Sequence, residues 1–114
     1  MERLNERLAV ARQALTALAE VLRMEPSKVV RDASIQRFEY TFEALWKAAQ
    51  LFLRQQEGLE AASPKAVVRA CFQAGLLTEE QARGAMEMAE DRNLSAHTYD
   101  ERLADAIHRR LAGH

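Results

Sequence analysis

The 114-residue chain sets 16 lysines and arginines against 17 aspartates and glutamates, a formal net charge of −1. That balance excludes nucleic-acid or membrane binding driven by bulk charge and leaves room for a local basic pocket. Hydrophobic residues make up 48% and charged residues 29%, which excludes a disordered chain and predicts one folded domain over 1–114. The lone Cys71 excludes an internal disulfide, and the apolar run Val67-Val68-Arg69-Ala70-Cys71-Phe72 assigns it to the core. No apolar run approaches the roughly 20 residues of a membrane span, and the first residues lack a signal-peptide pattern. The expected setting is therefore cytoplasmic, without membrane contact.

In chain order, Leu4, Leu8, Ala11, Leu15, Leu18 and Leu22 alternate four and three apart, predicting a first helix with one apolar stripe. Pro26 ends it, and Ser27 is a suitable N-cap for the next. The second helix, from about Ser27 to Glu57, carries Ile35, Phe38, Phe42, Leu45, Ala49 and Phe52 on one face, widened by Trp46 and Leu53, and Gly58 stops it. Trp46 reads as core or dimer interface. Two long helices with matching stripes and a short connection are expected to lie antiparallel.

Ser63-Pro64 opens a short third helix with Val67, Cys71 and Phe72 inward, closed by Gly75. Thr78-Glu79-Glu80-Gln81 is a capping box for a fourth helix running towards Ala96, with Ala82, Met86 and Ala89 inward. Thr98-Tyr99-Asp100-Glu101 repeats the pattern and predicts the start of a last helix facing Leu103, Ile107 and Leu111 inward. With no period-two runs, the fold class is all-α: an antiparallel up-and-down four-helix bundle with an additional short helix.

The stretch Glu90-Asp91-Arg92-Asn93-Leu94-Ser95-Ala96-His97-Thr98-Tyr99-Asp100-Glu101 concentrates polar groups where the fourth helix hands over to the fifth. Arg92 and His97 stand about 140° apart on an ideal helix, so converging on one ligand requires a break near Ser95–His97 or a second chain. Arginine grips two phosphate oxygens at once, and histidine moves protons near neutral pH. Asn93 can orient the imidazole or a substrate oxygen, with Asp91 as a further supporting group, and Tyr99 adds a phenol. No metal-ligand cluster accompanies them, and the parts suit metal-free transesterification of RNA by its own 2′-hydroxyl. The competing reading is structural: Arg92 and His97 would cap carbonyls at a helix corner, where cations suit the macrodipole.

Arg37 and Lys47 on the second helix are candidates either to line a cleft or to pair with Glu87 or Asp91. The alternative there is a solvated face that also includes Gln36 and Glu39. The basic tail from His108 to His114 fits a helix C-terminus, and its two histidines lack spaced partners for a metal.

The segment Arg92-Asn93-Leu94-Ser95-Ala96-His97-Thr98-Tyr99 resembles the R-x4-H-x-Y signature of the HEPN superfamily, in the HepT-like branch paired with minimal nucleotidyltransferases. Two further blocks, Ile35 to Lys47 and Ser63 to Leu76, are similar to that branch in the same order. The resemblance implies a homodimer or higher even oligomer of HEPN-like bundles, with the motifs of two protomers facing one cleft. It implies a toxin–antitoxin role in which Arg92 and His97 form the catalytic pair of a metal-independent ribonuclease. A separate minimal nucleotidyltransferase would silence it by transferring AMP to Tyr99. The alternative within the branch is a non-catalytic subunit that binds substrate for that transferase. No cofactor is implied. None of the four glycines is followed by serine, so the Gly-Ser turn of the transferase itself is missing, and a transferase would be a separate polypeptide.

Overall fold

Three side-chain caps set the starts of the three middle helices. Ser27, Ser63 and Thr78 each accept a hydrogen bond from the backbone N–H three residues on: Val30 at 3.0 Å, Ala66 at 3.2 Å and Gln81 at 3.1 Å. They open α2 (Lys28–Phe52), α3 (Pro64–Gln73) and α4 (Glu79–Leu94). At Thr78 the box is closed from the other side, the Thr78 N–H donating to Gln81 Oε1 at 3.0 Å. Each cap satisfies N–H groups that a helix start leaves without partners. The computed structural model describes residues 2–113, which also include α1 (Glu2–Leu22) and α5 (Glu101–Gly113). Met1 and His114, the end of the basic tail, lie outside the described residues.

The C-terminal ends follow the same logic. Beyond Phe52 the backbone widens into a π-helical turn, Leu53–Glu57, and closes at Gly58 in the left-handed region with φ 64°. Glycine reaches that conformation without a Cβ clash. After α3, Gly75 (φ 78°) donates to Phe72 O while Leu76 donates to Cys71 O at 2.9 Å. That pair of bonds is a Schellman ending.

The result is an all-helical bundle with α2 as the shared element. α1 lies antiparallel along α2: Arg37 donates to Ala17 O at 2.7 Å, and Ala44 of α2 sits beside Arg3 and Arg7 at the other end of α1. One core cluster gathers Leu18 and Val21 of α1, Ile35, Phe38 and Phe42 of α2, Ala89 of α4, and Ala104, Ile107 and Leu111 of α5. A second joins Leu53 to Val67 and Cys71 of α3. Trp46 is half-buried and packs against both, in agreement with its core reading. Burial raises the Cys71 thiol pKa, which keeps it in the unreactive thiol form.

Four inward assignments need correction. Leu4, Ala11 and Leu18 are buried, but Leu8 and Leu15 on the same predicted stripe are exposed. In this region α1 packs mainly on α2, so only half of a two-sided stripe finds a partner. Leu15 instead edges an apolar groove of about 280 Å³ with Leu45, Met88 and Leu111, and Leu45 is likewise exposed. Phe72 is exposed too, because Val68 and Cys71 take the inward face of α3.

Ile107 has no exposed surface and sits where α1, α2, α4 and α5 meet. Ile107→Ala is expected to lower stability by about 2–5 kcal/mol in chemical denaturation. Leu15→Ala should cost less than about 1 kcal/mol.

Candidate functional site

The corner between α4 and α5 is built from a single 3₁₀ turn, Ser95–His97. α4 ends at Leu94, two residues short of the predicted Ala96. The Ser95 hydroxyl explains the stop. It lies 2.7 Å from the Arg92 carbonyl and 2.7 Å from Glu39 Oε2 on α2, which ties the end of α4 to its neighbour.

Thr98 does not cap α5. The cap is Asp100, whose Oδ1 accepts from the N–H groups of Arg102 at 3.0 Å and Leu103 at 3.4 Å. A carboxylate collecting two N–H groups is a stronger cap than a hydroxyl at the front of the helix dipole. Thr98 and Tyr99 therefore belong to a turn closed by Asp100 N–H on His97 O at 3.1 Å.

This geometry separates the predicted pair. Arg92 turns towards α2, its Nη1 donating to Glu39 Oε2 at 3.0 Å and Ser95 Oγ at 3.3 Å. Its Nε is buried and has no hydrogen-bond partner among the described residues. His97 and Tyr99 are exposed, Tyr99 to 84%. Their rings meet edge to face, with centroids 6.0 Å apart and an interplanar angle of 87°. The guanidinium is therefore held against α2, while imidazole and phenol stand out on the turn. The backbone break is present at Ser95–His97, yet within one chain Arg92 is engaged by α2 and His97 is exposed.

Beside Glu39 an open cleft of about 440 Å³ is lined by Asp32, Ala33, Ile35, Gln36, Glu39 and Thr98. It places the Arg92 partner and the turn carrying Tyr99 on one concave surface.

The supporting residues divide. Asn93 is exposed. Asp91 is buried, and Arg110 of α5 donates to its Oδ1 from Nε at 2.9 Å and lies 2.6 Å away through Nη2. That bonding raises the Arg110 pKa. Asp91 thus anchors α5. Lys47 pairs with Glu43 at 3.8 Å within α2, and Arg37 is engaged by α1 as described above.

Sequence reasoning missed Glu39 and Ser95 as the partners of Arg92. It also missed Arg31, a buried guanidinium bonded to Asp32 at 2.9 Å and to Asp105 of α5 at 3.0 Å. The hydrogen bonds it donates to Asp32, then to Asp105, hold its pKa above the ordinary arginine value. Ser95 carried a usable signal, since it stands one helical turn from Arg92. Glu39 carried none, being 53 residues away.

Residues 6–114 match the family described as nucleotidyltransferase substrate binding protein like. The chain belongs to that family. A crystal structure of a Thermus thermophilus protein is 58% identical and superposes with a TM-score of 0.84, covering 89% of this chain and 86% of that one. No curated protein sequence matches the chain. No helix among the described residues is long and apolar enough to cross a membrane.

In this member of the substrate-binding-like family, the Asp91–Arg110 pair fixes the corner from the α5 side. Removing one partner of a buried pair is costly, but Arg110 is 42% exposed and partly screened. Arg110→Ala is expected to cost roughly 1–3 kcal/mol in denaturant unfolding. Arg110→Lys should recover part of it, since lysine keeps the charge but not the fork geometry.

Proposed function

We propose that this chain is the HEPN-type member of a two-component system and that a separate minimal nucleotidyltransferase transfers AMP to Tyr99. The observation carrying this reading is the phenol itself, 84% exposed on a turn next to His97. A tyrosine has apolar area to bury, and one left in solvent is open to an incoming enzyme. Membership of the substrate-binding-like family supports a transferase as the partner. In the transfer, Tyr99 Oη attacks the α-phosphorus of ATP and the bond from that phosphorus to the bridging oxygen breaks. Pyrophosphate leaves, and the phenolic proton passes to a base on the transferase.

In the same reading, Arg92 and His97 form the active site of a ribonuclease toxin that needs no divalent metal. Since Arg92 of one protomer faces α2 and His97 faces outward, the cleft is completed across two copies. Exposed Leu8, Leu15 and Leu45 are apolar surface that an even oligomer would cover. An RNA 2′-oxygen bonds to phosphorus as the P–O5′ bond breaks. One imidazole takes the 2′ proton, a protonated one gives a proton to O5′, and the guanidinium offsets the charge that builds on phosphorus. Tyr99 stands beside the imidazole, so an AMP group there would bring a phosphate against it and block the cleft. Asn93 has the role of orienting His97 or a substrate oxygen.

Two measurements test the proposal. Incubation with the transferase and labelled ATP is expected to label the wild-type chain and to leave Tyr99→Phe unlabelled. Equal labelling of both removes Tyr99 as the acceptor. The purified chain should cleave RNA in EDTA, and Arg92→Ala or His97→Ala should each lower the rate by at least about a hundredfold. If no cleavage occurs, or if both variants cleave as fast as wild type, the ribonuclease part fails and the non-catalytic substrate-binding role stands in its place.

A further inference from the structure

Arg92 is not simply paired. Its Nη1, the Ser95 hydroxyl and Glu39 Oε2 form a closed triangle with sides of 3.0, 3.3 and 2.7 Å. The hydroxyl accepts from the guanidinium and donates to the carboxylate, so each member fixes the other two. Glu39 and Arg92 side chains are 28% and 31% exposed, which makes this a site at the surface and not a core ion pair. Among the described residues, these bonds fall on Nη1. The opposite edge of the fork, Nε with Nη2, is the edge that makes parallel bonds to two oxygens of one phosphate. There Nε is enclosed without a partner. A donor left in that state is a cost to the folded chain unless an acceptor reaches it.

We propose that Glu39 is a positioning residue for Arg92, anchoring the guanidinium through Nη1 so that it is held ready-oriented for a phosphodiester. The inference rests on the RNA-cleaving reading above and adds to it a residue outside the R-x4-H-x-Y segment. Glu39 also lines the open cleft shared with Thr98, so the anchor stands at the cleft wall. Charge alone predicts the opposite consequence. A carboxylate 3.0 Å from the guanidinium repels a phosphate, so deleting it without any positioning role would tighten RNA binding and raise the rate.

The test compares steady-state RNA cleavage by wild type, Glu39→Ala, Glu39→Gln and Ser95→Ala, each first shown to melt as a folded protein. Positioning predicts that Glu39→Ala lowers kcat by about tenfold to a hundredfold while KM stays level or falls. Glu39→Gln keeps an oxygen acceptor and should restore most of kcat, and Ser95→Ala should fall between. A Glu39→Ala kcat equal to or above wild type overturns the proposal.

A readout independent of turnover separates this failure from failure of the ribonuclease reading. The Arg92 Nε–H NMR signal, assigned by its loss in Arg92→Lys, should exchange slowly in wild type and shift when a 2′-O-methyl oligoribonucleotide is added. In Glu39→Ala it should exchange rapidly and lose that shift. An Nε–H signal that behaves alike in both proteins overturns the proposal even where wild type cleaves RNA. If wild type neither cleaves nor binds RNA, the ribonuclease reading falls, and the difference in Nε–H exchange alone decides whether Glu39 sets Arg92.

Discussion

The bundle can bury α5 only if α4 stops in time. Ile107, Ala104 and Leu111 reach the core shared by α1, α2 and α4 because the chain reverses within residues 95–100. The Ser95 hydroxyl makes that reversal possible by bonding to Glu39 on α2, and Asp100 restarts the helix by collecting two N–H groups. Had α4 continued through His97, the Asp100 cap and the apolar side chains of α5 would point elsewhere. The same corner carries every residue in the candidate motif, so packing and chemistry draw on one backbone constraint.

Around that corner, charge is arranged in pairs that cross between helices. Asp91 of α4 meets Arg110 of α5, Arg31 of α2 meets Asp105 of α5, and Arg92 of α4 meets Glu39 of α2. Such pairs stabilise less than their number suggests, because desolvation offsets much of the attraction. Their value lies in direction: a bidentate or shared-oxygen bond tolerates few relative orientations of two helices. The net charge of −1 therefore hides a local order in which these guanidiniums are held in place while the surface stays mixed.

Much of this was legible in the sequence. Ser27, Ser63-Pro64 and the Thr78–Gln81 box act where their types and spacing place them, since a cap works through local backbone geometry. Gly58 and Gly75 end their elements for the same reason. What failed depended on distant partners. Leu8 and Leu15 fit the stripe of α1 as well as Leu4 and Leu18, and no local signal reveals that α1 meets mainly α2 along its length. Thr98 lost to Asp100 because two capping residues stood two positions apart, and the tertiary position of α5 chose between them. At the corner, spacing allowed either a break near Ser95–His97 or a second chain, and the break is present as the Ser95–His97 turn. The Glu39 contact was not legible, since a long separation along the chain leaves no periodic trace.

The corner also divides stiffness from access. Arg92 is bound to α2 through the Glu39 carboxylate and to the following turn through the Ser95 hydroxyl, so its guanidinium keeps little freedom. Tyr99 and His97 sit on an exposed turn with their rings against each other, which leaves them able to meet a second protein. A group that must stabilise charge works best when it is already oriented. A group that must enter another enzyme's active site works best when little holds it. The last turn of α4 thus carries a held cation, and the turn that follows carries exposed rings.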